Sequence, residues 1–230
     1  MKQILRAKIY GDSIMKGTIL DAGYRYHAIM NEYLIRLYER FGIEAENRAR
    51  FGITVKRGHS ILLRDIDKGL DCELALVEFG GNDSDFKWSE ISMEPDKEHL
   101  PLTSMADFKQ NIAAMTEELR AQGVQPIMMT LPPIEPNRYL DFVSRNGNSR
   151  ENILKWLGYV EKIYETHKSY SDAVAEIAQE RIVPLVDVRS AFPSGNALGE
   201  YMCIDGVHPD KKGYQLIADS FASFFEKALA

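Results

Sequence analysis

Five apolar runs of strand length, residues 4–10, 44–48, 74–79, 124–130 and 182–188, are separated by longer segments of helical period. Strands joined only through helical crossovers pair in parallel, and the crossover helices cover both faces of their sheet. The alternation therefore predicts a three-layer α/β sandwich, doubly wound around about five parallel strands. Within the third run, Leu74-Ala75-Leu76-Val77 is apolar without interruption, the pattern of a strand buried on both faces. A chain of 230 residues that is 45% hydrophobic can bury one sizeable core, so a single domain over 1–230 is expected.

The crossover segments carry their own start and stop signals. Tyr26, Ile29, Met30, Tyr33, Leu34, Leu37, Tyr38 and Phe41 recur at three- and four-residue spacing and end at Gly42, which predicts a helix from Tyr26 onward. Met105, Phe108, Ile112, Met115 and Leu119 repeat the pattern, opened by Ser104 with Asp107 in capping-box spacing and closed by Gly123. Tyr214, Ile217, Phe221, Phe224 and Phe225 do so again. Residues 151–180 read as helix with a break expected near 167–171, and Pro132, Pro133 and Pro136 oppose regular structure after the fourth run. The long connections 84–103 and 131–150 follow predicted strand ends, where open α/β sheets bind ligands, and are the expected walls of a site.

Charge and cysteine content narrow the function classes. The 28 basic and 34 acidic residues are dispersed, for a net charge of −6, and no basic tract could follow a phosphate backbone, so a nucleic-acid partner is not expected. Met1-Lys2-Gln3-Ile4-Leu5-Arg6-Ala7-Lys8 sets charges inside the only apolar stretch near the start, unlike a signal peptide, and no run is long enough to span a membrane. Cys72 and Cys203 are too few for a disulfide framework. The expectation is a cytoplasmic protein with two free thiols and no membrane contact.

Three phrases carry chemistry. Gly11-Asp12-Ser13 follows the first strand at once and presents a serine at the carboxyl end of a central strand; taken alone it is ordinary turn chemistry. Gly80-Gly81-Asn82-Asp83 closes the third strand, which neighbours the first in a doubly wound sheet, so the Asn82 carboxamide would emerge beside Ser13. Asp205-Gly206-Val207-His208-Pro209 sets a carboxylate three residues before a histidine. In a compact turn it can accept the imidazole Nδ1 proton and leave Nε2 free to take one from a serine.

In this order, the phrases resemble the blocks of the SGNH hydrolases, also called the GDSL family. Gly11-Asp12-Ser13 with Gly17 is similar to the first block, Gly80-Gly81-Asn82-Asp83 to the third and Asp205-Gly206-Val207-His208-Pro209 to the last. Asn47-Arg48-Ala49-Arg50-Phe51-Gly52-Ile53-Thr54 loosely resembles the second, with Gly58 as a competing glycine. The resemblance implies a flavodoxin-like sandwich and a serine ester hydrolase working through an acyl-enzyme. It further implies Ser13 as nucleophile, His208 as base, Asp205 as its orienting acid, and Ser13, Gly52 and Asn82 as oxyanion donors. It implies no metal and no cofactor.

Other readings rank lower. Gly11 to Thr18 comes near a phosphate-binding loop, but Lys16 and Gly17 stand in the wrong order for one. Gly58-His59-Ser60 lacks the final glycine of a nucleophile elbow. Asp96, Glu98 and His99, or His208 with Asp210, do not make a metal-ligand set. His27, His59 and His167 fall in predicted helices, where a surface or packing role is the expectation, and Met128 and Met129 read as core.

The substrate expectation comes from the long connections. They hold Asp83, Asp85, Lys87, Trp88, Glu90, Asn137, Arg138, Tyr139, Asp141, Arg145 and Asn146, a polar and aromatic mixture suited to a hydroxyl-rich ligand. Ile91, Met93, Leu140, Phe142 and Val143 could form at most a small apolar pocket. The expectation is short acyl groups, acetyl first, on a polar or carbohydrate alcohol. The alternatives are lipase-like or thioesterase action on longer chains, or a non-catalytic carbohydrate-binding protein of the same fold.

Overall fold

The computed structural model describes residues 4–228, apart from the side chains of residues 30–34. Met1, Lys2 and Gln3 of the segment read for an export signal, and the side chains of Met30, Tyr33 and Leu34 in the first helical pattern, lie outside the described residues. The centre is a five-stranded parallel sheet built from β1 (Leu5–Tyr10), β4 (Ile43–Asn47), β5 (Leu74–Val77), β6 (Gln125–Met129) and β7 (Leu185–Val186), in the order β4-β1-β5-β6-β7. The order reverses at β1, where the chain winds first to one side and then to the other, and crevices at such a reversal are where this architecture places ligands. In register, Ile9 faces Leu76 and Tyr10 faces Val77. The residues just beyond these ends therefore leave the sheet side by side.

Alternation along the strands divides the core in two. Tyr10, Val77 and Met128 face a cluster with α2 (Val55–Asp67), α4 (Met105–Ala121) and α7 (Lys162–Glu180). Ile9, Leu76 and Met129 face the opposite cluster with α1 (Met30–Phe41) and α8 (Lys211–Ala228). Helix ends follow local chemistry: Gly42 closes α1 at φ 69°, and Ser104 Oγ accepts the Asp107 N–H at 3.1 Å to open α4. A third cluster, formed by α3 (Trp88–Met93), α5 (Pro136–Val143) and α6 (Arg150–Leu157), roofs the carboxyl edge of the sheet around Ile91, Leu140 and Ile153. Cys72 and Cys203 are free and buried. No helix among the described residues is long and apolar enough to cross a membrane.

Four expectations are corrected. Tyr26 does not begin a helix: β2 (Thr18–Leu20) and β3 (Tyr26–Ala28) form a two-stranded antiparallel ribbon, and His27 lies in it. Asp21 decides this locally, because its Oδ1 accepts the N–H groups of Gly23 at 2.8 Å and Arg25 at 3.0 Å and folds the intervening residues into a turn. The break in 151–180 falls at Gly158, φ 81°, and α7 runs through 167–171 uninterrupted. Pro136 opens α5 instead of preventing it, since a first-turn residue needs no amide donor. The fifth strand shrinks to two residues, preceded by Pro184, which has no N–H to give a ladder.

Gly58 sits in α2 against the core. A Cβ there would lie 2.0 Å from Phe79 Cζ, so the helix and the ring can approach only through glycine. Gly58→Ala is expected to destabilise the fold by about 1–3 kcal/mol through overpacking, which a thermal melt would register as a Tm lower by several degrees. An unchanged Tm would mean that the Phe79 ring yields freely.

Candidate active site

Ser13 stands on a turn that the sequence closes tightly. Gly11 is the hinge, because a Cβ there would meet Met15 Cβ at 2.7 Å and Glu78 Oε2 at 3.0 Å. Asp12 Oδ1 accepts the Ile14 N–H at 2.8 Å, and Thr18 N–H reaches back to the Ser13 carbonyl at 3.0 Å. The chain thus curls around Ser13, which is buried except for the face turned to a cavity.

His208 is held from the other side. Asp205 Oδ1 accepts the backbone N–H groups of Val207 at 3.0 Å and His208 at 3.1 Å, while its Oδ2 pairs with His208 Nδ1 at 2.7 Å. Gly206 has φ 72°, and a Cβ there would press to 2.5 Å from the Glu135 carbonyl, so this turn too requires glycine. The imidazole's other nitrogen, Nε2, lies 2.9 Å from Ser13 Oγ. Asp205, His208 and Ser13 thus form one hydrogen-bonded line although 195 positions separate His208 from Ser13. With Asp205 holding Nδ1–H, Nε2 is an acceptor aimed at a hydroxyl and can take its proton.

The remaining predicted residues are distributed unevenly. Asn82 lines the cavity with Ser13, and its Nδ2 donates to Asp12 Oδ2 at 2.9 Å. Gly52 lies in the turn after β4 at φ 73°, next to Phe51, which lines the cavity. Gly58, its competitor, is in the α2 contact with Phe79 described above. His59 bridges Asn111 and Glu118 at 3.0 and 2.8 Å, Asp96 pairs with Lys155, and His99 Nε2 meets the Glu94 carbonyl. Asp83 is not a wall residue: it is buried and receives the Val55 N–H at the start of α2, and burial raises its carboxyl to about 6.

Sequence reasoning missed several neighbours. Phe51 stacks on the His208 ring at 5.9 Å, and Tyr26 meets the same ring edge-on at 5.4 Å, so two aromatic side chains screen the imidazole from water. Screening of this kind strengthens the Asp205–His208 pairing. Phe51 adjoins Gly52 and could have been noted with it; Tyr26 was hidden by its helical reading. Glu78 also lines the cavity, beside Asp12 and fully buried, with its Oε2 facing the Asp12 N–H at 3.4 Å and its Oε1 without a partner among the described residues. Burial, and next the charge of Asp12, raise the Glu78 carboxyl well above its ordinary range. An acid directly after Leu74-Ala75-Leu76-Val77 was the available signal.

The cavity has a volume of about 170 Å³, and its wall differs from the expected one. Of the polar and aromatic loop residues named for a hydroxyl-rich ligand, Asp85, Trp88 and Tyr139 line it, together with Ser84; much of the remaining wall is aromatic and aliphatic, with Phe86, Leu131, Ile134 and Phe142 among its members. Lys87 pairs with Glu90 on the surface, Arg150 with Asp141, and Arg138 donates to the Met202 carbonyl. Polar residues of these connections serve mostly to fasten the roof, which is why composition misjudged the lining.

A flavodoxin-like sheet with a serine–histidine–aspartate line at its carboxyl edge is the arrangement of a serine hydrolase. The chain belongs to the GDSL-like lipase/acylhydrolase family, whose model matches residues 9–216. It is 27% identical to a GDSL esterase/lipase of Arabidopsis thaliana over 162 residues, 70% of this chain and 57% of that protein. It is 25% identical to the isoamyl acetate-hydrolyzing esterase of Saccharomyces cerevisiae over 227 residues, 95% of this chain and 84% of that one. Thus the match spans little more than half of the Arabidopsis relative's length. Among solved structures, an acetylxylan esterase from Geobacillus stearothermophilus shares the fold with a TM-score of 0.65 at 18% identity, covering 98% of this chain and 96% of that one. A lipase/acylhydrolase from Enterococcus faecalis does so with a TM-score of 0.64 at 19% identity and 97% coverage of both.

Proposed function

We propose that the protein is a serine ester hydrolase that works through an acyl-enzyme and removes short acyl groups, acetyl first, from a polar or carbohydrate alcohol. The observation that carries this reading is the Asp205–His208–Ser13 line, with 2.7 and 2.9 Å contacts, at the wall of a cavity. Ser13 Oγ attacks the ester carbonyl carbon while His208 Nε2 takes its proton, and the carbonyl π electrons move onto oxygen. The oxyanion is met by the N–H groups of Ser13 and Gly52 and by Asn82. A carboxamide has two N–H donors, and the Asp12 contact uses one of them, so the second remains for the oxyanion. His208 then returns its proton to the leaving alkoxide oxygen. Water, deprotonated by the same nitrogen, cleaves the acyl-enzyme and regenerates Ser13.

The acyl preference draws support from two named relatives, one hydrolysing isoamyl acetate and one described as an acetylxylan esterase. The aromatic and aliphatic lining favours a second reading, in which an alkyl chain occupies the cavity, each buried methylene contributing about 0.8 kcal/mol. A cytoplasmic location, supported by two unbridged buried cysteines, is part of the proposal. The test is kcat/KM over acetyl, butyryl and octanoyl esters, together with acetate release from acetylated xylo-oligosaccharides. Acetyl esters are expected to be cleaved fastest, with acetate released from the sugar. Faster octanoyl cleavage and no release would replace the carbohydrate reading with a lipase-like one.

A further inference from the structure

His167 lies on α7, far in sequence from every residue assigned a role above, yet its ring lines the same cavity as Ser13. It is only 8% exposed. One ring nitrogen, Nδ1, lies 3.4 Å from Arg189 Nη1, which also reaches the Leu131 carbonyl at 3.3 Å. A guanidinium is a donor in every accessible state, so Nδ1 must be an acceptor and the ring's proton must sit on Nε2. Burial, and next the Arg189 charge, lower the imidazolium's pKa to about 3, so the ring is neutral and its tautomer fixed throughout the physiological range.

Three other donors on this wall are already committed. Trp88 Nε1 donates to Asp85 Oδ1 at 2.7 Å, the Tyr139 hydroxyl is taken up by Asp85 and Trp88, and Ser84 Oγ donates to the Gly81 carbonyl at 3.0 Å. His167 Nε2–H, on the same wall, has no hydrogen-bond partner among the described residues, and Glu78, the other wall residue with an unpartnered polar atom, lies beside Asp12. A donor left unmatched when a ligand displaces water from the cavity is unfavourable, and an apolar side chain would line a purely alkyl pocket better. We propose that His167 is a specificity determinant, donating from Nε2 to an acceptor oxygen carried by the part of the ester that enters the cavity. The inference rests on the ester-hydrolase reading and deepens it: the preferred group is oxygen-bearing, an ether, hydroxyl or ketone a few atoms from the scissile bond, and not plain alkyl.

Isosteric ester pairs test this on wild type, His167→Leu and His167→Gln. The acyl arm compares 4-nitrophenyl 4-methoxybutanoate with the hexanoate, and the alcohol arm compares 2-methoxyethyl acetate with butyl acetate; each pair exchanges one methylene for oxygen. In one arm, the oxygen-to-methylene ratio of kcat/KM is expected to fall about two- to tenfold from wild type to His167→Leu, the size of a neutral hydrogen bond. That arm identifies the half of the ester in the cavity. His167→Gln, which keeps a donor, is expected to recover part of the ratio. Because ratios within one enzyme cancel general damage, a histidine that merely supports Arg189 would leave them unchanged, and unchanged ratios in both arms would overturn the proposal. Should His167→Leu fail to fold, equal ratios in wild type and His167→Gln, with no preference for oxygen in wild type, would overturn it as well. Absence of any Ser13-dependent turnover of the plain esters would instead remove the ester-hydrolase reading, and this inference with it.

Discussion

Ser13→Ala, His208→Ala and the double variant are expected to be equally inactive, each losing on the order of 10⁶ in kcat, because coupled nucleophile and base act as one unit. The physical reason is visible in the 2.9 Å contact between Ser13 Oγ and His208 Nε2: without the imidazole the hydroxyl keeps its proton, and without the hydroxyl the imidazole has nothing to activate in the first step. Losses that multiply in the double variant would mean that the two residues act independently, and the serine mechanism would fail. Asp205→Asn sharpens the test. Oδ1 of Asp205 holds two backbone N–H groups, so the amide must keep its oxygen there and turn its NH₂ toward His208 Nδ1. That arrangement makes Nδ1 an acceptor and places the ring proton on Nε2, facing Ser13, where it cannot accept. A fall in kcat on the order of 10⁴, with unchanged thermal stability, is the expected result.

What the sequence made legible were features encoded locally. Strand-length apolar runs and helical periods predicted the winding, and the register of β1 against β5 then sets Gly11-Asp12-Ser13 beside Gly80-Gly81-Asn82. The Asp205–His208 pair was readable because both members lie in one short turn. Features set by competition or by tertiary contact were not. Tyr26 continues a helical period into α1, but Asp21 captures two backbone N–H groups and a ribbon forms instead, bringing Tyr26 onto the His208 ring. Composition could not say that Asp83 would turn inward to the start of α2, or that Lys87 and Glu90 would pair outside the cavity. Gly52 was preferred in sequence, with Gly58 as a competitor; that Gly58 is needed for the approach of α2 to Phe79 was not legible there. His167 reads as an ordinary helical residue because the partner that fixes its tautomer, Arg189, is 22 positions away.

Asn82→Ala is expected to lower kcat by about a hundred- to a thousandfold, roughly 2.7 to 4 kcal/mol of transition-state stabilisation, with little change in KM. The split follows from when the charge appears. A ground-state ester oxygen is nearly neutral and gains little from the carboxamide, whereas the tetrahedral oxyanion carries a full charge in a site screened by Phe51 and Tyr26. The variant is a clean probe because of how the turn is built. Asp12 loses the Asn82 donor on Oδ2 but keeps the Ile14 N–H on Oδ1 at 2.8 Å, so the loop presenting Ser13 retains its own closure. Asn82→Asp is expected to be worse than Asn82→Ala. It would set a third carboxyl beside Asp12 and Glu78, both already raised by burial, and would offer an acceptor where the oxyanion needs a donor. Steady-state kinetics on an acetyl ester, with a melt to confirm folding, would check both variants. A kcat for Asn82→Ala equal to wild type would remove Asn82 from the site and leave the oxyanion to backbone donors alone.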